Sequence, residues 1–152
     1  MLQKALEFLQ EHNEIAFATS DGNLPKVRVF QIMKQEGTTL WFATSAKKDV
    51  YKELRQNPNV ELLAWADKVS VRCVGKVAFD VNEETKRCIY YNNPVLPRLY
   101  DSYDQLDYFS LDLKKIDYYD LRPTPPEMLH FDLKKQTVNG GFVGEKFGMY
   151  KV

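Results

Sequence analysis

Five consecutive residues, Thr44-Ser45-Ala46-Lys47-Lys48, bring two hydroxyls and two ammonium groups to the point where an extended run gives way to a helical one. Backbone N–H groups lack partners at such a junction, so amides, hydroxyls and cations converge where a phosphate can dock. Lysines in the first turn of a helix oppose its macrodipole at a cost of ~0.3–1 kcal/mol each, which a bound anion reverses. A plainer reading stands beside this one: Ser45 caps the helix and both lysines sit in solvent. Arg28 is the only arginine among the first 50 residues and lies on the extended segment Lys26-Val-Arg-Val-Phe30. If that segment neighbours the strand ending at Thr44, its guanidinium can chelate two oxygens of the same anion. Otherwise it pairs with a carboxylate at the edge of the sheet.

Other patterns carry less chemistry. Gly140-Gly-Phe-Val-Gly144 superficially resembles a dinucleotide loop, but that loop opens a long helix, which the eight following residues do not supply, so a turn or flexible tail is expected. Neither a G-x-S-x-G elbow nor an H-E-x-x-H pair occurs, leaving hydrolytic triads and zinc catalysis unsupported. His130 is expected on a strand, hydrogen-bonded to a neighbour. Cys73 and Cys88 are not in C-x-x-C spacing and read as small buried apolar residues. The tyrosines between Tyr90 and Tyr119 suit a core or a dimer interface before a ligand-stacking wall.

The elements that must position these groups follow from periodicity. Leu2, Ala5, Leu6 and Leu9 recur at helical spacing, ending near His12. Ile15–Thr19, a Ser20-Asp-Gly-Asn23 turn and a run from Pro25 to about Lys34 predict a hairpin. Thr38–Thr44 predicts a third strand, and Val50, Tyr51 and Leu54 mark a helix that Asn57-Pro58 stops. Strands over 59–66 and from Val69 to Phe79 follow, the latter alternating cleanly between apolar and polar residues. Asn82, Glu83-Glu84 and Lys86-Arg87 predict a capped helix with charges that counter its dipole at both ends. Pro94–Tyr103 is a short helix or ordered loop, Leu106–Leu121 and Met128–Leu133 are strands, and 134–152 is a C-terminal tail. Short strands outnumber helices, which predicts a small antiparallel barrel with peripheral helices.

The 152 residues, 44% hydrophobic and 28% charged, suit a single domain over 1–152. Twenty-one basic residues balance 21 acidic ones, which argues against a broad nucleic-acid or anionic-membrane surface. No apolar run approaches a membrane span, and the N-terminus lacks the apolar stretch of a signal peptide, so a cytoplasmic protein is expected.

The ordered succession Val27-Arg-Val-Phe30, Leu40-Trp-Phe-Ala-Thr44, Ser45-Ala-Lys-Lys48, Asp49-Val-Tyr-Lys-Glu-Leu54, Asn57-Pro-Asn-Val-Glu61 and Val71-Arg-Cys-Val-Gly-Lys-Val77 resembles the pyridoxamine 5′-phosphate oxidase family. The likeness spans about residues 1–133 and is nearest the small branch of nitroimidazole-resistance flavoproteins. It implies a mainly β fold with peripheral helices: a six-stranded antiparallel split β-barrel that forms a homodimer with FMN at the subunit interface. Carried over to this sequence, Arg28, Ser45, Lys47 and Lys48 would hold the flavin phosphate. Val29, Phe30, Gln31 and Thr44 would border the ring and ribityl chain, and Ser70 would reach the flavin. The phosphate loop is shorter than in the oxidase proper, and Phe142–Val152 offers no counterpart of its Trp- and Arg-containing substrate segment. The function implied is an FMN-dependent oxidoreductase working from NADH or NADPH to a small nitroaromatic or quinone acceptor, the alternative being a non-catalytic FMN carrier or sensor.

Overall fold

The computed structural model describes all of residues 1–152. Helix α1 (Leu2–Glu11) buries Ala5, Leu6 and Leu9 along one face. Strands β1 (Glu14–Asp21) and β2 (Leu24–Gln31) form the expected hairpin, with Asp21 opposite Leu24 and Gly22-Asn23 between them. Gly22 takes a φ of 60° there, which glycine adopts without steric cost.

The extended run expected from Pro25 to Lys34 breaks at Ile32–Met33. The Ile32 amide donates to the Asn13 carbonyl, whereas the next amide, Met33, donates to that of Trp41. The chain has changed partners at this corner, and it continues as β3 (Lys34–Glu36), paired with β4 (Thr39–Thr44). Helix α2 (Asp49–Gln56) ends before Asn57-Pro58, and β5 (Asn59–Ala66) and β6 (Val69–Ala78) follow. Helix α3 (Glu83–Asn92) opens on Asn82, whose side chain accepts a hydrogen bond from the Thr85 amide at 2.8 Å. Lys86 and Arg87 fall mid-helix and do not serve its C-terminal dipole, because α3 continues to Asn92. Next come α4 (Val95–Leu99), β7 (Asp107–Asp120), β8 (Glu127–Asp132) and β9 (Thr137–Gly140), the last lying within the segment expected as a tail.

The hydrogen-bonded order is β2-β1-β5-β6-β7-β4-β3, with β8 on β7 and β9 on β8. Strands β1, β2, β4, β5, β6 and β7 make the body of an antiparallel split barrel, and β3, β8 and β9 extend it to a nine-stranded sheet. No ladder joins β2 to β4. Aromatic packing spans that split: Phe30 of β2 lies 5.9 Å from Phe42 of β4 and 5.1 Å from Phe17 of β1, ring centre to ring centre. Phe42 in turn stacks on Phe109 of β7 at 5.2 Å. Phe17, Phe42 and Phe109 are fully buried at the heart of the main core.

Strand β7 serves two partners by means of a bulge. Val74 pairs with Lys115 but Gly75 pairs with Leu113, leaving Lys114 without an opposite number. The buried positions of β7 shift there from residues 109, 111 and 113 to 116, 118 and 120, and its outer neighbour changes from β4 to β8. Gly75 is needed at the bulge, since a Cβ would come within 2.7 Å of the Asp112 carbonyl oxygen. On the other face of β4, a second cluster of Ile89, Tyr90, Leu96, Leu106 and Tyr108 packs α3 and α4 against Met33, Trp41 and Ala43. Cys73 is buried, which pushes its thiol pKa well up, whereas Cys88 is partly exposed, contrary to the expectation that both are buried. No helix is long and apolar enough to cross a membrane.

Candidate functional site

The split in the barrel leaves a cleft of about 340 Å³ between the end of β2, the end of β4 and α4. Val29, Phe30, Gln31, Thr44 and Lys48, five of the residues singled out by sequence, line it together. Val95, Leu99 and Tyr100 supply the α4 side. Thr44 is 3% exposed and its hydroxyl has no hydrogen-bond partner. A buried hydroxyl left unpaired costs ~1–3 kcal/mol, so its place in the wall of a cleft marks where a ligand atom can complete it.

From Thr44 the chain enters the turn that delivers Lys48. The Lys48 amide donates to the Ser45 carbonyl at 3.0 Å and the Lys47 amide to Ser45 Oγ at 3.2 Å. The Ala46 amide donates to Asp107 Oδ2 at 2.8 Å. Ser45 does not cap α2: Lys48 occupies the capping position, and no side chain bonds to the first turn. Lys47 and Lys48 are exposed and enter no ion pair. Uncapped amides at the start of α2, two unpaired ammonium groups and an orphaned hydroxyl are a donor set that fits the phosphate and polyol of a flavin mononucleotide.

Ser45 and Lys47 adjoin the Lys48 end of the cleft in sequence but are not among its lining residues, and the structure does not bring Arg28 or Ser70 to it. The Arg28 guanidinium donates to Glu53 at 2.7 Å, to the Thr19 hydroxyl at 2.8 Å and to the Phe17 carbonyl at 3.1 Å. It lines a separate, polar cleft beside α2. Its alternation on β2 turns it inward, where the buried Glu53 carboxylate requires a cation. Ser70 stands on the partly exposed face of β6, opposite Trp65 on one side and Tyr119 on the other.

The sequence matches the family model for pyridoxamine 5′-phosphate oxidase over residues 1–106. The chain belongs to the pyridoxamine 5′-phosphate oxidase family. No curated protein matches it. Among solved structures of this fold, a nimC/nimA family protein from Clostridium acetobutylicum is 29% identical, covering 86% of this chain and 92% of that one at a TM-score of 0.67. A protein from the same organism related to general stress protein 26 of Bacillus subtilis has a TM-score of 0.73 at 15% identity, over 90% of this chain and 96% of that one. A pyridoxamine 5′-phosphate oxidase-related, FMN-binding protein from Nostoc punctiforme has a TM-score of 0.69 at 14% identity, over 91% and 92% of the two chains. The last two likenesses show the shared fold.

In this family member the α4 wall is the part of the cleft that sequence reasoning did not assign. Val95, Leu96 and Leu99 stand at helical spacing within Pro94–Tyr103, the one signal available, and Leu99 is 68% exposed on a helix that buries only Leu96. A second polar group lies on the sheet's outward face. His130 Nδ1 and Asp117 Oδ1 are 2.5 Å apart, and Arg72 donates to the other oxygen of Asp117 at 2.7 Å. Burial works to raise the Asp117 pKa, but the hydrogen bonds from His130 and Arg72 outweigh it and hold the carboxyl below its ordinary value.

Proposed function

We propose that the protein binds FMN as a homodimer and passes hydride or electrons from NADH or NADPH to a small, uncharged acceptor such as a quinone or nitroaromatic compound. The observation that carries this reading is the buried, unpaired Thr44 hydroxyl, in the wall of a cleft that ends at the unpaired Lys48 and the uncapped start of α2, with Lys47 the adjoining residue of the turn. The FMN-binding description of the Nostoc neighbour supports the same cofactor. Ser45, Lys47 and Lys48 would hold the phosphate, while Thr44 and the backbone of Val29, Phe30 and Gln31 would border the ribityl chain and ring. Flavin bound there supplies redox chemistry at its N5, and the protein supplies anchoring, orientation and exclusion of water.

Two features of the chain bear on the partner and the acceptor. Val27 and Val29 are each 68% exposed, and Trp65 is 59% exposed, on one face of the sheet. Val29 lies opposite Ala16, which lies opposite Leu63, so the apolar surface is continuous from β2 to β5. A second copy covering this face would also close the cleft at Val29, and it would bring Ser70, the register partner of Trp65, toward the neighbouring cofactor. On the opposite wall Val95, Leu99 and Tyr100 present no cation, and Arg98 is not among the lining residues. A phosphorylated substrate would be desolvated there without compensation, which favours an uncharged acceptor.

The test is direct. Saturating FMN, at about 100 times its Kd, should stabilise the fold by about 2.7 kcal/mol, which raises Tm by roughly 5–11 °C in a domain of this size. Anaerobic NADH or NADPH should then bleach the flavin absorbance, and the acceptor should restore it. An unchanged Tm would refute cofactor binding. The titratable side chains lining the cleft are Glu14, Lys48 and Tyr100, with no histidine, cysteine or aspartate beside them. That observation favours a second reading, a carrier or sensor, which bound FMN that no nicotinamide donor reduces would establish.

A further inference from the structure

We propose that Asp107 makes flavin binding reversible, because its carboxylate fixes the phosphate turn in place while opposing the phosphate's charge. The inference rests on the flavin reading above. Turns that grip phosphate tightly point free backbone amides at it. Here three successive amides are already satisfied within the chain: Ala46 by Asp107, Lys47 by the Ser45 hydroxyl and Lys48 by the Ser45 carbonyl. The dianion therefore meets the two ammonium groups and the start of α2, with a carboxylate hydrogen-bonded into the same turn.

Asp107 is held beside the turn by its backbone pairing and by the bond from the Ala46 amide. It is the first residue of β7, and the ladder pairs it with Thr44, whose unpaired hydroxyl belongs to the cleft. It enters no ion pair that would neutralise it. Asp49, at the opening of α2, already serves the helix dipole. Across Ser45–Asp49 and Asp107, two lysines face two aspartates, so the formal charge of the phosphate end is zero. Such a site orients a flavin without the surplus positive charge that would make it hard to release.

The experiment compares FMN with riboflavin, which lacks the phosphate, on wild type and Asp107→Asn by titration calorimetry and stopped-flow release. Asparagine keeps an oxygen for the Ala46 amide and removes the charge. FMN should bind about three- to tenfold more tightly to the variant, mainly through slower release, with riboflavin unchanged. In wild type, which needs no variant to fold, FMN affinity should be nearly flat between roughly 0.02 and 0.5 M salt, as a net-neutral site requires. An unchanged FMN Kd in the variant, an equal gain for riboflavin, or wild-type binding that weakens steeply with salt would overturn the role of Asp107 while leaving the flavin reading intact. Failure of both proteins to bind FMN would overturn both.

Discussion

Replacing Arg28 with alanine separates a structural role for this arginine from a direct grip on the cofactor. Glu53 is buried, and its side chain is 8% exposed; Arg28 reaches it at 2.7 Å with a side chain that is 25% exposed. The Thr19 hydroxyl donates to the same carboxylate oxygen at 2.6 Å and accepts from Arg28 at 2.8 Å. Arg28→Ala leaves a buried carboxylate with one neutral donor. Removing one member of a buried pair costs about 3–5 kcal/mol, and partial exposure of the arginine puts this case at about 3. At roughly 2–4 °C per kcal/mol in a chain of this length, Tm should fall by roughly 6–12 °C. Replacing both residues, Arg28→Met with Glu53→Leu, should restore most of the loss, because no charge is then stranded. Differential scanning calorimetry on the singles and the double closes the cycle, and FMN titration of folded Arg28→Ala supplies the second readout. The reasoning fails if Arg28→Ala melts like wild type while FMN affinity collapses, the signature of a guanidinium that serves the phosphate instead of Glu53.

Thr44→Val removes the unpaired hydroxyl at nearly constant volume, so melting should show the cofactor-free protein unchanged or slightly more stable, while FMN affinity falls about three- to tenfold, the worth of one hydrogen bond. Trp65→Glu places a charge on the exposed apolar face; analytical ultracentrifugation should show monomers that keep the wild-type circular dichroism spectrum. Asp117 and Asp120 both ionise below the ordinary 3.8 in the folded chain, the first helped by His130 and Arg72 against burial, the second chiefly by the Arg122 hydrogen bond. A depressed folded pKa contributes stability above the unfolded value and loses it as pH falls, so denaturant midpoints should drop below about pH 4, and Asp117→Asn should flatten that drop.

Much of this arrangement is legible in the sequence because it is local. The alternation from Val69 to Phe79, the Gly22-Asn23 turn and the Asn57-Pro58 stop each depend on neighbours a few residues away, and the structure reproduces all three. The partner change at Ile32–Met33 is not local: the same extended backbone serves β1 on one side and β4 on the other, and no residue type signals the switch. The fate of Arg28 is hidden for a similar reason. Its inward direction follows from strand alternation, but the carboxylate that engages it lies 25 residues on, in α2. Strand β9 escapes because its four residues have no strong pattern and pair only with β8. Within the cleft, Thr44 and Lys48 are readable from the strand-to-helix junction, whereas the α4 wall arises from how Ile89, Tyr90 and Leu96 pack on the back of β4.

The central claim is that a phosphate docks where β4 hands over to α2, and titration of wild type and Lys48→Ala with FMN and riboflavin tests it most directly. Lys48 is exposed and forms no ion pair, so its loss should leave the fold intact. Loss of a hydrogen bond to a charged group costs about 1.5–3 kcal/mol, which predicts FMN binding weaker by roughly 10- to 150-fold with riboflavin binding unaltered. Equal FMN affinity in the two proteins would contradict the account.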